Sequence, residues 1–174
     1  MSFWTIRAGT KRYIGSKAVA AILSAMSVFV VGILLYVVVV SLDGRELMAR
    51  IQTVSSYYQF GDRGQPVLSL IFYVVHYMFS AGVWAAMGVF VSTCLPNLYV
   101  ALAAPSVIYM LVMWFDQYWP PELGWCNPYH LTGYIYDQPD PVQTLLLHIG
   151  VCLVYMVILT LASVANGKRR QQNA

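Results

Sequence analysis

Charge is what this sequence has least of. Only 10% of its 174 residues are Asp, Glu, Lys or Arg, against roughly 25% in soluble domains. None falls in residues 18–42, 67–95, 98–115 or 142–165. So few charges cannot dress a globular surface in water, and a soluble domain is excluded. Catalytic signatures are missing too. No Gly-rich phosphate loop, His-Glu-x-x-His, Gly-x-Ser-x-Gly or Cys-x-x-Cys occurs, so neither an enzyme nor a resident cofactor is expected, and no visible motif binds ATP. Three cysteines at unrelated positions, Cys94, Cys126 and Cys152, give no disulfide framework, and the Gln-Gln-Asn-Ala ending carries no prenylation signal.

What is present in quantity is apolar, 59% of the chain. A bilayer core of about 30 Å needs roughly 20 apolar residues at 1.5 Å each. Residues 18–42 satisfy that with some tilt and are too long for a signal peptide, whose apolar region runs about 7–15 residues. The same reading applied to 67–95, 98–115 and 142–165 predicts an all-α integral membrane protein with four transmembrane helices.

Orientation follows from the charges. Arg7, Lys11, Arg12 and Lys17 precede the first span, and Lys168, Arg169 and Arg170 follow the last. All seven acids (Asp43, Glu46, Asp62, Asp116, Glu122, Asp137, Asp140) fall in the two connections 43–66 and 116–141, with only Arg45, Arg50 and Arg63 among the basic residues. Cytoplasmic flanks are rich in Lys and Arg, so both termini are expected in the cytoplasm, with residues 1–17 a basic interfacial segment and 166–174 a polar tail. Topology, rather than nucleic acid, accounts for the net charge of +3.

Between residues 43 and 66, Leu47, Ile51, Val54 and Tyr58 repeat at helical spacing and predict a short amphipathic helix on the outer surface. The second outer connection is rich in Trp, Tyr and Pro, which predicts short broken helices at the interface. In the first span Ala21, Ser24, Ala25 and Ser27 are expected to form a small-residue face. In the second, Gly82/Ala86 and Gly88/Ser92 are small-xxx-small pairs, the pattern by which helices pack closely in lipid. Pro96 and Asn97 predict a tight inner turn. Pro105 removes a backbone hydrogen bond within the third span and is a candidate hinge.

Two histidines, His76 and His148, sit about a third of the way into their spans from the outer side. Ionisable residues at such depth point to a proton relay or substrate contact, although a neutral histidine bonded to another helix is the commoner case. His130 in the outer connection makes three imidazoles on one side, but no carboxylate or cysteine spacing accompanies them, and a zinc site is not expected.

Three stretches carry a resemblance. Arg7-Ala-Gly-Thr-Lys-Arg-Tyr-Ile-Gly-Ser-Lys17 running into an apolar helix, the turn near Asn97 followed by Ala104-Pro105, and Asn127-Pro128 ahead of a last span with a basic tail together resemble permeases of the second ABC exporter type. The resemblance implies a permease subunit, paired as a homo- or heterodimer in a bacterial cell membrane. It would work with a separate ATPase subunit that docks on Arg7, Lys11, Arg12, Tyr13 and Lys17 to move a peptide, drug or lipid outward. Such permeases usually have six spans, and the four expected here correspond to the last four. The alternative is a non-transporting accessory, immunity or scaffold protein acting through helix association.

Overall fold

The structure, a computed structural model, describes residues 9–42, 56–95, 98–129 and 138–172. Every regular element among them is helical: α1 (Thr10–Leu42), α2 (Tyr58–Asp62), α3 (Pro66–Cys94), α4 (Leu98–Asp116), a 3-10 turn (Pro121–Cys126) and α5 (Pro141–Gln172). Three helices, α1, α3 and α5, are long and apolar enough to cross a membrane. Helix α4 is shorter, and its 19 residues rise about 28 Å at 1.5 Å each.

Local chemistry sets the boundaries. Helix α2 closes in a paired terminal motif: Gln65 N–H donates to Phe60 O at 2.7 Å and Gly64 N–H to Gly61 O at 2.9 Å. That pairing needs a left-handed residue, which Gly64 supplies at φ 73°. Two residues on, Pro66 opens α3, where a missing N–H costs nothing and the fixed φ suits a helix. Leu95, extended at φ −116° and ψ 126°, ends α3 because the residue before a proline avoids the helical region. Asp140 opens α5 by accepting from Val142 N–H at 3.3 Å, with Pro141 in the first turn.

Helix α3 is the hub. It packs against α1 and α5, which also meet each other, while α4 rests mainly on α3 and α2 lies across the start of α3. The core is Val83, Ala86, Cys152, Met156 and Leu159, flanked by Ile22, Met26 and Phe79 from α1 and α3. Gly82 sits where the three long helices meet. A Cβ placed there would lie 2.6 Å from Met26 Cε, 3.0 Å from Met156 Sδ and 3.4 Å from Ile22 Cγ2, so any side chain there must displace the Met26 tip and press on Met156.

The bundle has two chemically distinct ends. At one, Ile14 crosses Gly167 so closely that an added Cβ would strike the isoleucine, and Asn166 Nδ2 reaches Cys94 Sγ at 3.1 Å. Arg12, Lys17, Lys168 and Arg169 are exposed there. At the other end lie Asp62, Asp116, Glu122 and Asp140, with Ser56 bonded to Thr144 at 3.0 Å and Gln59 Nε2 donating to Pro139 O at 3.2 Å.

Several sequence expectations shift in detail. The basic entry does not form a separate surface helix over its described part, since Thr10 to Lys17 continue straight into α1, and α5 likewise runs on to Gln172. Ala21 and Ala25 are half-buried, but Ser24 and Ser27 are exposed, and Ser27 turns its hydroxyl back to Leu23 O at 2.8 Å. In the outer connection Ser56, Tyr57 and Phe60 are buried and Tyr58 is exposed. Leu47, Ile51 and Val54 lie outside the described residues, as do Arg7, His130 and Asp137.

Candidate functional site

Near the acidic end, α3 and α5 each present polar side chains on an otherwise apolar face. On α5 these are Thr144, His148 and Cys152, four residues apart and therefore stacked along one side. On α3 they are Ser69, His76 and Ser80, all buried. The helices meet so that the His76 and His148 rings lie face to face, 3.5 Å between centroids and 16° from parallel.

Hydrogen bonds fix this pair. His148 Nε2 is 3.1 Å from His76 O, 3.1 Å from Ser80 Oγ and 3.3 Å from Cys152 Sγ. A backbone carbonyl can only accept, so its contact assigns the proton to His148 Nε2. The Ser80 hydroxyl points to the same carbonyl at 3.4 Å. On the other side of the stack, Tyr57 Oη stands 3.1 Å from His76 Nδ1. Tyr57 is fully buried, boxed edge-on by Tyr73 and Phe72 at 5.3 and 5.6 Å. Tyr77 adds an edge contact to His76 at 5.3 Å. Two imidazolium charges 3.5 Å apart would repel by about 5 kcal/mol at an effective dielectric of 20.

The sequence placed His76 and His148 at similar depth without pairing them, and Tyr57, Ser80, Thr144 and Cys152 were missed as partners. Their signal was the four-residue spacing of Thr144, His148 and Cys152 and of His76 and Ser80. Among the described residues no group of three or more His, Cys, Asp or Glu side chains is arranged to hold a metal ion.

The remaining candidates lie elsewhere. Arg12 and Lys17 are exposed and Tyr13 half-buried at the basic end, with the Lys11 side chain outside the described set. Gly82 and Ala86 are buried in the packed core, whereas at Gly88 nothing lies within 4 Å of an added Cβ and Ser92 is exposed. Helix α4 runs through Pro105. Beneath the 3-10 turn, Trp125 and Cys126 cover an apolar cavity of about 540 Å³ against Leu147, Val151, Val154 and Ile158 of α5. Tyr155 at its edge donates to Cys126 O at 3.0 Å. The turn itself is tied to α4 by Asn127 Nδ2 donating to Asp116 Oδ1 at 2.5 Å.

Membrane-length apolar helices packed through a glycine contact and a buried polar seam define a multi-pass helical membrane protein. No protein-family model, curated protein or solved structure matches the chain.

Proposed function

We propose that the chain is the membrane-spanning permease subunit of an ATP-driven exporter of the second ABC type, acting with a separate ATPase in a bacterial cell membrane. Four spans with both termini cytoplasmic fit the separation of basic and acidic ends. Helix α4, about 28 Å long, supplies the fourth, only slightly short of the hydrocarbon thickness of about 30 Å. Two such subunits, alike or different, enclose the pathway.

One observation carries the reading beyond the resemblance. From Thr10 onward the basic entry forms the first turns of α1, clamped to the end of α5 where Ile14 crosses Gly167. A push on Arg12 and Lys17 from an ATPase is therefore transmitted to two long helices at once, as a rigid-body change between packings requires. Pro105 gives α4 freedom to bend in the same cycle. The apolar cavity under Trp125 suits the greasy part of an amphipathic substrate.

The test is affinity purification of the chain from its native membrane, with identification of co-purifying proteins, followed by Arg12→Glu with Lys17→Glu. A stoichiometric ATPase bearing a phosphate-binding loop, lost or uncoupled in the double variant, supports the proposal. Recovery of the chain without an ATPase defeats it. That outcome favours the second reading, a scaffold or immunity protein acting through helix association, for which the open small-residue face at Gly88 and Ser92 is the supporting feature.

A further inference from the structure

We propose that the apolar cavity between the 3-10 turn and α5 holds the hydrocarbon chain of a cationic amphiphile, whose positive head is kept at the roof by Glu122 and Trp125. The inference deepens the exporter reading by naming the charge of its substrate, and it rests on that reading only for the fate of the bound molecule.

The walls fix the tail. At about 540 Å³ the cavity falls within the range of about 300–1,000 Å³ of small-molecule sites. It runs along α5 from Leu147 to Ile158, a stretch that rises about 16 Å at 1.5 Å per residue. That is roughly half of a hydrocarbon core of about 30 Å, the depth of one leaflet on the acidic side. Gly150 deepens the recess, since nothing lies within 4 Å of an added Cβ there. Polar groups at the roof are already engaged: Tyr155 Oη donates to Cys126 O at 3.0 Å and Cys126 Sγ to Leu123 O at 3.2 Å. The interior therefore receives hydrocarbon and offers no partner to a polar head.

Hydrocarbon contact alone does not select a ligand. A chain that leaves the bilayer for this recess exchanges one apolar surrounding for another, so the hydrophobic effect contributes almost nothing and the preference is decided at the head. There the charges are of one sign. No Lys or Arg occurs anywhere between Arg63 and Lys168. Of the acids described at this end, Asp62 is engaged by Tyr58, Asp116 by Asn127 Nδ2 and Asp140 by Val142 N–H. Glu122 is exposed and makes no hydrogen bond or ion pair with any described residue. It stands three positions before Trp125 in the 3-10 turn, a spacing at which side chains eclipse. A carboxylate and a partly exposed indole thus share one side of the turn that roofs the cavity. Together they suit an ammonium head, by charge and by the attraction of a cation to an aromatic face. An anionic head would meet a like charge and no cation.

The experiment measures binding by the full chain alone, in zwitterionic nanodiscs at pH 7 and low salt. Radiolabelled dodecyltrimethylammonium, dodecanesulfonate and dodecanol are compared by equilibrium dialysis, with empty discs subtracted. Dodecyltrimethylammonium should bind saturably, one molecule per chain, and more tightly than the other two. Glu122→Gln keeps the shape and removes the charge; it should weaken the cation by about two- to fivefold, the span of an exposed charge pair, and leave dodecanol unchanged. Gly150→Phe fills the recess from a position where its Cβ meets no atom within 4 Å, and should abolish saturable binding of the cation. The proposal is overturned if cation, anion and neutral probe bind alike, which makes the recess a slot for membrane lipid only. It is equally overturned if Gly150→Phe leaves cation binding intact, which places the cation on the acidic surface at large, or if Glu122→Gln leaves the preference unchanged. The comparison of the three probes uses the unsubstituted chain and decides even where a variant fails to fold. Co-purification of an ATPase bears on the exporter reading and not on these outcomes, so the two readings fail separately.

Discussion

Replacing Gly82 with alanine and with leucine, beside the same changes at Gly88, separates packing from helix propensity on a single helix. Alanine in place of glycine favours a helix by about 1 kcal/mol. At Gly88 nothing opposes that gain, because an added Cβ meets no atom within 4 Å. At Gly82 the Cβ falls 2.6 Å from Met26 Cε and 3.0 Å from Met156 Sδ. The Met26 methyl is the free tip of a flexible chain and swings aside cheaply; the Met156 sulfur lies within the core and must yield by a few tenths of an ångström. Overpacking of this kind costs about 1–3 kcal/mol. Gly82→Ala should therefore be less stable than Gly88→Ala by about 1–2 kcal/mol, a factor near ten in the unfolding equilibrium. Gly82→Leu, whose branch has nowhere to go between Ile22 and Met156, should lose about 3 kcal/mol. Met26→Ala should recover at least about 1 kcal/mol of that loss, since residues in contact do not behave additively. The assay is reversible unfolding in mixed micelles, read by tryptophan fluorescence. Equal stability of Gly82→Ala and Gly88→Ala, or an additive loss when Met26→Ala joins Gly82→Leu, would refute the three-helix contact.

Gly167→Val should be destabilised by about 1–3 kcal/mol because its side chain meets Ile14, and Ile14→Ala should restore much of this; thermal stability in detergent decides. Cys94 is exposed and Cys152 fully buried, so a membrane-permeant maleimide should label Cys94 in the folded chain and leave Cys152 until denaturation. A membrane-impermeant maleimide applied to intact cells should leave Cys94 untouched if the basic end is cytoplasmic. The Tyr58 phenol is held above its usual value by its hydrogen bond to Asp62 and then by that carboxylate's charge. A raised folded value favours the protonated fold, so this contribution is complete below about pH 10 and fades as pH climbs through the folded value. Difference absorbance against Asp62→Asn should show the phenol ionising earlier once the carboxylate is gone.

Long helices were legible because an uninterrupted apolar run is a one-dimensional signal. The starts of α3 and α5 and the end of α3 were nearly so, through Pro66, Pro141 and Pro96. Register between helices was not. His76 and His148 are separated by 71 residues of intervening sequence, and nothing in either span states which turn of α3 meets which turn of α5. Gly82 and Gly88 look alike in sequence, yet one is wedged between two methionines and the other borders open space, because burial depends on the azimuth of neighbours that composition does not encode. The burial of Tyr57 was illegible for a related reason: the Phe72 and Tyr73 rings that enclose it stand on another helix.

The central position of α3 has a consequence for how the chain is made. Synthesis delivers α1 and then α3, and only the last helix supplies His148, Cys152 and Met156. Until then Met26 and Ile22 of α1 already cover Gly82 and Tyr57 reaches His76 Nδ1, but the ring face of His76 that stacks on His148 and the Ser80 hydroxyl beside it lack the helix they pack against. Maturation hinges on the arrival of α5. Chains interrupted before Pro141 should be retained by insertion factors or cleared by membrane proteases, and supplying α5 as a separate peptide should rescue them.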